Sequence, residues 1–233
     1  EDETEQEEKA TGAISWLSSA DWESYINKVK GELRKSSLGN NEGLSRKLGL
    51  FHKCDKVLSV PWNSDYFKDI EKRRLIGGME PTKDAPESYA WLGHVAASGG
   101  FRKILANGTN KEHTAIVSAI NTIGALSHPI DWKKLQMSLR SLVDLGPTMK
   151  VWGRVLAITR PDLFCTISAP HVRKKIAKQF DKSEIFLEDV EGYLMLIRMI
   201  HESPWFNSKA PARGDNLEIW ERRVAFLDVV FYN

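Results

Sequence analysis

The sequence predicts an all-α fold, on three observations. Apolar residues recur at three- and four-residue spacing through most of the chain, alternation at period two is almost absent, and the periodic stretches are separated by short Gly-, Pro- and Asn-marked turns. Only 164–167 has the pattern of a brief extended piece. With 42% hydrophobic and 27% charged residues over 233 positions, the chain can bury a real core.

Residues 1–17 read as a disordered acidic tail. Positions 1–9 hold six carboxylates and one lysine, a net charge of −5, and like charges without apolar residues cannot offset the entropy of ordering. From 18 to 76 the pattern predicts an N-terminal helical lobe. Trp22, Ile26, Val29 and Leu33 fall on one face of its first helix, with Ser18 or Ser19 placed to cap. Gly39, Asn40 and Asn41 end that helix. Two more are expected over 42–52 and 65–75, with 60–64 as the turn between them. Gly77, Gly78, Pro81 and Pro86 mark 77–86 as a linker. A larger helical domain is expected over 87–233, with helices at 87–97, 111–126, 131–143, 149–159, 171–180, 184–201 and 217–232. The last of these is apolar to its end and must dock on the core or on a partner.

Composition excludes several classes. No apolar run approaches the roughly 20 residues of a membrane helix, and the N-terminus is acidic where a signal peptide is basic and then apolar. The expectation is a soluble chain with no membrane partner, in the cytoplasm, on the nucleoid if bacterial, or in the nucleus. Cys54 and Cys165 lack CxxC spacing, so neither a zinc site nor a disulfide framework is suggested. The six histidines have no HExxH or other ligand spacing, and no P-loop, GxSxG or GxGxxG occurs; no metal and no cofactor are expected. Beyond residue 9 the chain has 32 Lys+Arg against 25 Asp+Glu, net +7. That excess suits a polyanionic partner, and equally an ordinary basic surface.

The functional argument rests on 131–159, DWKKLQMSLRSLVDLGPTMKVWGRVLAIT, which reads as an amphipathic helix, a very short turn and a second amphipathic helix. Gly146 supplies the positive φ that ends the first helix, and Pro147 suits the start of the second, where a missing N–H costs nothing. The N–H groups at Thr148 and Met149 then point out of a helix N-terminus, where dipole and donors together favour a phosphate. Without DNA the same pattern is simply an αα-hairpin.

The hairpin leads into Arg160-Pro161-Asp162-Leu163-Phe164-Cys165-Thr166-Ile167-Ser168-Ala169-Pro170-His171-Val172-Arg173. A Gly-containing hairpin, a helix, a proline-marked loop, a short extended piece and a His-Val pair opening the next helix, in that order, resemble the helix-hairpin-helix DNA glycosylases, in particular their 8-oxoguanine branch. The resemblance covers roughly 135–180. It implies a monomer acting on double-stranded DNA, extruding and excising a damaged or modified base, with Lys150 as the attacking amine and abasic-site lyase activity following from the Schiff base. A lysine there would need a desolvated amine near the helix's positive end. The register leaves two positions open for the nucleophile, Lys150 and Thr148. A modified purine is the implied substrate, in repair, or a hypermodified phage cytosine in antiviral defence. One departure stands out. The family's catalytic aspartate falls near Ile167, Ser168 or Ala169, where this sequence has no carboxylate, and Asp144, Asp162, Asp181 and Asp228 are the candidates to replace it.

Around that core, Gly146, Thr148, Met149, His171, Arg173 and Lys174 are expected to meet the phosphate backbone. Asn107, in Asn107-Gly108-Thr109-Asn110, would contact phosphate or fill the gap left by a flipped base. Trp152 and Trp205 are the candidates to stack on that base, with core packing as the ordinary alternative for each. Two other readings stay open: a helix-hairpin-helix protein that binds DNA without catalysis, and a helical protein-interaction domain whose hairpin never meets DNA.

Overall fold

The computed structural model describes residues 16–35, 42–78, 92, 99–166, 170–180 and 189–231, without the side chains of 170, 171 and 173. The acidic segment 1–15, most of the expected linker and all of the expected helix over 87–97 except Leu92 lie outside the described residues.

Among the described residues the chain is all-helical, with no strand; 164–166 is irregular. The α-helices are α1 (Trp16–Ser19), α2 (Trp22–Lys35), α3 (Glu42–Val57), α4 (Ile70–Gly77), α5 (Gly99–Asn107), α6 (Asn110–Gly124), α7 (Trp132–Val143), α8 (Met149–Thr159), α9 (Pro170–Lys178), α10 (Val190–Glu202), α11 (Asp215–Glu221) and α12 (Leu227–Phe231), with a 3-10 turn at Ser64–Phe67. None is long and apolar enough to cross a membrane.

Side-chain caps fix five of the α-helix starts. Thr109 and Glu112 form a reciprocal capping box that opens α6. Asp131 accepts from the Lys134 N–H at the start of α7, and Asp189 from the Gly192 N–H at the start of α10. Several boundaries differ from the sequence expectation. Trp16 and Leu17 leave the expected tail and form α1, because Leu17 is fully buried and its carbonyl accepts the Trp205 indole N–H at 3.0 Å. Asp21, not Ser18 or Ser19, receives the Ser24 N–H at the start of α2, at 2.8 Å. Asp69 divides the expected 65–75 helix, since its carboxylate takes the N–H groups of Glu71 and Lys72 and starts α4 afresh. Gly78 then closes α4 at φ 60°. The expected C-terminal helix breaks at 222–226, between α11 and α12, where both Arg222 and Arg223 are buried. The helix α5 has no counterpart among the expected elements.

A single contiguous core crosses the expected lobe boundary. α2 packs on α12 and α3 on α8. Tyr25 stacks on Trp205 with ring centroids 4.2 Å apart, and its hydroxyl donates to the Arg223 carbonyl. The buried polar groups fasten these layers. Lys47 on α3 meets both oxygens of Asp228 on α12 at 2.6 and 2.5 Å, and the Thr166 hydroxyl donates to the same carboxylate at 2.7 Å. His201 on α10 faces the Leu163 carbonyl at 3.1 Å and stacks on Phe206 at 4.0 Å.

Two of these contacts lend themselves to measurement. Asp228→Ala removes the carboxylate from a buried ammonium, and should cost about 3–5 kcal/mol in urea denaturation; a cost under ~1 kcal/mol would mean the pair is idle. Burial holds the His201 imidazole down, to about 4 from 6.5. The folded state therefore refuses a proton that the unfolded chain accepts, and its contribution is complete above pH 6.5 and lost as pH falls toward 4. In urea melts across that window the wild type should lose about 2–3 kcal/mol more than His201→Phe, which keeps the ring and removes the titration.

Candidate nucleic-acid interface

The α7–turn–α8 hairpin forms as the sequence predicts. α7 ends at Val143; Asp144, Leu145 and Gly146 donate their N–H groups back to the carbonyls of Arg140, Leu142 and Val143. Gly146 turns the chain at φ 105°, a conformation an L side chain rarely adopts. α8 begins after Thr148, whose backbone is extended and whose side chain makes no capping bond. Its Val151 and Trp152 N–H groups return to the Thr148 carbonyl. The first turn of α8 thus lacks the side-chain acceptor that opens α6, α7 and α10. Uncapped N–H groups at the positive end of a helix form an anion seat.

α8 is not the amphipathic helix the pattern suggested. Met149 and every residue from 151 to 158 are buried, while Lys150 alone in that run is exposed. The cause is packing on several sides, by α3, α4, α6 and α7. Arg154 is carried into the interior, where its guanidinium donates to the Leu75 and Ile76 carbonyls at 2.6 and 3.1 Å. Burial pulls it down to about 10, so it stays charged at neutral pH. The neighbouring Cys54 thiol is pushed up to about 12 and supplies no counter-charge. The negative end of α4 takes that role.

The candidate residues separate clearly. Gly146, Thr148 and Lys150 lie together on the exposed turn. Met149 is fully buried, so only its backbone is available to a phosphate. Lys150 is exposed rather than desolvated, a correction to the environment expected for a nucleophile of lowered pKa. Trp152 and Trp205 are corrected to core residues. Both are 0% exposed, and their indole N–H groups are held by the carbonyls of Pro147 and Leu17 at 3.0 Å each, which leaves neither a face for a base. Among the described tryptophans only Trp16, Trp132 and Trp220 retain partial exposure. Lys174 is exposed on α9; the side chains of His171 and Arg173 lie outside the described residues. Asn107 is exposed at the end of α5.

Of the carboxylates considered as replacements, Asp228 is held by Lys47 and Thr166, Asp162 forms a two-pronged pair with Arg160 at 2.9 and 2.8 Å, and Asp181 lies outside the described residues. Asp144 is exposed on the hairpin turn itself. No group of three or more His, Cys, Asp or Glu among the described residues is arranged to hold a metal ion.

Sequence reasoning missed Phe101. It meets Trp152 edge-to-face with centroids 5.1 Å apart, so α5 braces the hairpin from below. A helix preceded by residues outside the periodic pattern, and opened by Gly99-Gly100, offered no signal for it.

Compared with protein-family models, characterised proteins and solved structures, the chain matches none.

Gly146→Ala isolates the backbone requirement, because a Cβ there meets nothing within 4 Å. It should destabilise the chain by about 1–2 kcal/mol in denaturant melts through φ strain alone; an unchanged midpoint would show that the turn relaxes without it.

Proposed function

We propose that this chain binds duplex DNA through the α7–α8 hairpin and acts with Lys150 as a DNA glycosylase or abasic-site lyase. The observation that carries the reading is the uncapped start of α8, where Thr148 and Lys150 are exposed and positive-φ Gly146 precedes them. A backbone phosphate seated at that turn would neutralise the helix's positive end, and a lysine two residues into the helix would stand beside the adjoining sugar.

The chemistry requires the neutral amine. Its lone pair forms a bond to the sugar C1′ as the glycosidic bond breaks and the base leaves with a proton from the amine, after which the C1′–O4′ bond opens, O4′ takes a proton from water and C1′ becomes doubly bonded to the nitrogen; at an abasic site the aldehyde condenses directly with loss of water. The resulting Schiff base acidifies the C2′ hydrogen, and its loss expels the 3′ phosphate and cuts the strand. An exposed amine suits the abasic substrate, which needs no base pocket. Excision of an intact base needs a carboxylate to steady the developing positive charge at the sugar, and Asp144 is the exposed candidate on the turn.

The exposure of Lys150, together with the burial of Trp152 and Trp205, favours a second reading, a helix-hairpin-helix protein that grips DNA without catalysis. Borohydride trapping on abasic-site duplex separates the two. The lyase reading expects a covalent adduct that disappears in Lys150→Ala. An adduct that survives that substitution removes Lys150 from the mechanism. No adduct despite salt-dependent binding establishes the non-catalytic reading. A panel of duplexes carrying 8-oxoguanine, uracil, alkylated purines or modified cytosines, treated with alkali and sized, names the base if one is excised.

A further inference from the structure

We infer that the outward face of α5 is a second phosphate-binding surface, in which Arg102 and Lys103 hold the DNA backbone beside the phosphate seated at the hairpin. The inference rests on the DNA-binding reading above. α5 buries Phe101 and Leu105, four residues apart, at 0% and 1% exposure, and leaves Arg102, Lys103, Ala106 and Asn107 exposed. Lys103 and Asn107 share one line of that face at i, i+4 spacing.

A short chain of contacts ties this face to the hairpin. The Trp152 indole N–H donates to the Pro147 carbonyl in the turn, at 3.0 Å, and the same indole receives the Phe101 ring edge-to-face at 5.1 Å. One ring therefore separates α5 from the turn, and Arg102 follows Phe101 directly. Buried aromatic contacts of this kind hold the two elements in fixed register, so the position of the α5 cations relative to the turn is preorganised.

The charges on this surface are uncommitted. Arg102, Lys103 and Lys150 form no ion pair among the described residues, as is also true of the exposed Lys133 and Lys134 on α7, so what sets α5 apart is its tie to the hairpin. Glu112 lies close enough to feel Lys103, but its Oε2 accepts the Thr109 N–H at 2.6 Å and the Thr109 hydroxyl at 2.9 Å. Two unpaired cations on α5 and one on the turn, joined by a rigid spacer, match the repeated negative charge of a nucleic-acid backbone rather than a single small anion.

The test is the salt dependence of affinity for an undamaged duplex, followed by fluorescence anisotropy, for the wild type, R102A/K103A and K133A/K134A. Lys133 and Lys134 are exposed at the far end of the twelve-residue α7, about 18 Å from the turn, and serve as a charge-matched control. All four side chains are exposed, and unchanged thermal melts verify the fold of each variant. Losing two phosphate contacts should flatten the log–log slope by about 1.8, so that between about 50 and 200 mM salt the variant loses roughly tenfold less affinity than the wild type. The control should keep the wild-type slope. A wild type that binds while R102A/K103A keeps the full slope, or while the control flattens as much, overturns the α5 assignment and leaves the hairpin reading in place. A wild type with no affinity for duplex at about 50 mM salt overturns both.

Discussion

The burial of α8 is the constraint on which the rest of the structure depends. A helix enclosed on nearly every side must have other helices around it, and α3, α4, α6 and α7 are the ones that do this. Its one exposed residue in the run 149–158 is Lys150, and the turn that leads into it is the place where the enclosed helix reaches solvent. The core therefore fixes the candidate site. The first turn of α8 has little freedom to move, because Met149, Val151 and Trp152, on either side of Lys150, are all packed. A seat held this way needs little reorganisation when an anion arrives.

Burying α8 brings a charged group into the interior, and backbone carbonyls help to answer it. Arg154 is received by the last carbonyls of α4, whose partial negative charge and lone pairs offset the loss of water. The Lys47–Asp228–Thr166 cluster solves a similar problem by direct pairing, and ties the C-terminal helix to an N-terminal one. Such groups add little net stability over apolar packing, yet each is costly to break singly, so they specify which helices meet. The same pairing explains why Asp228 is an unsuitable replacement for a catalytic aspartate. Its oxygens are already committed.

The fold class, the hairpin and most helix boundaries were legible because they are written in local chemistry. Gly146-Pro147 is a turn signal that survives in the folded chain, and α6, α7 and α8 begin within one residue of the expected starts, whereas α10, expected from 184, begins after Asp189, whose carboxylate caps it. The features that were not legible depend on tertiary placement. Trp152 and Trp205 carry the residue type that stacks on bases, and nothing in the sequence around them distinguishes a surface ring from a core ring. Only the partners, Phe101 and Tyr25, make the assignment. The break at 222–226 lies within an unbroken apolar pattern, and it follows from Arg223 turning inward to donate to the Phe206 carbonyl at 3.1 Å. Lys150 was placed near a helix start correctly, but its exposure depends on how α8 is enclosed, which spacing alone does not contain.

The central claim is that the α7–α8 turn is where DNA meets this protein, and backbone amides report on it most directly. In a 15N NMR titration with a short undamaged duplex, the amides of Thr148, Met149, Lys150 and Val151 should shift together along one binding curve, and Gly146→Ala should weaken that curve. Shifts confined to other surfaces, or no shifts at any duplex concentration, would contradict the account and leave the hairpin as a purely structural element.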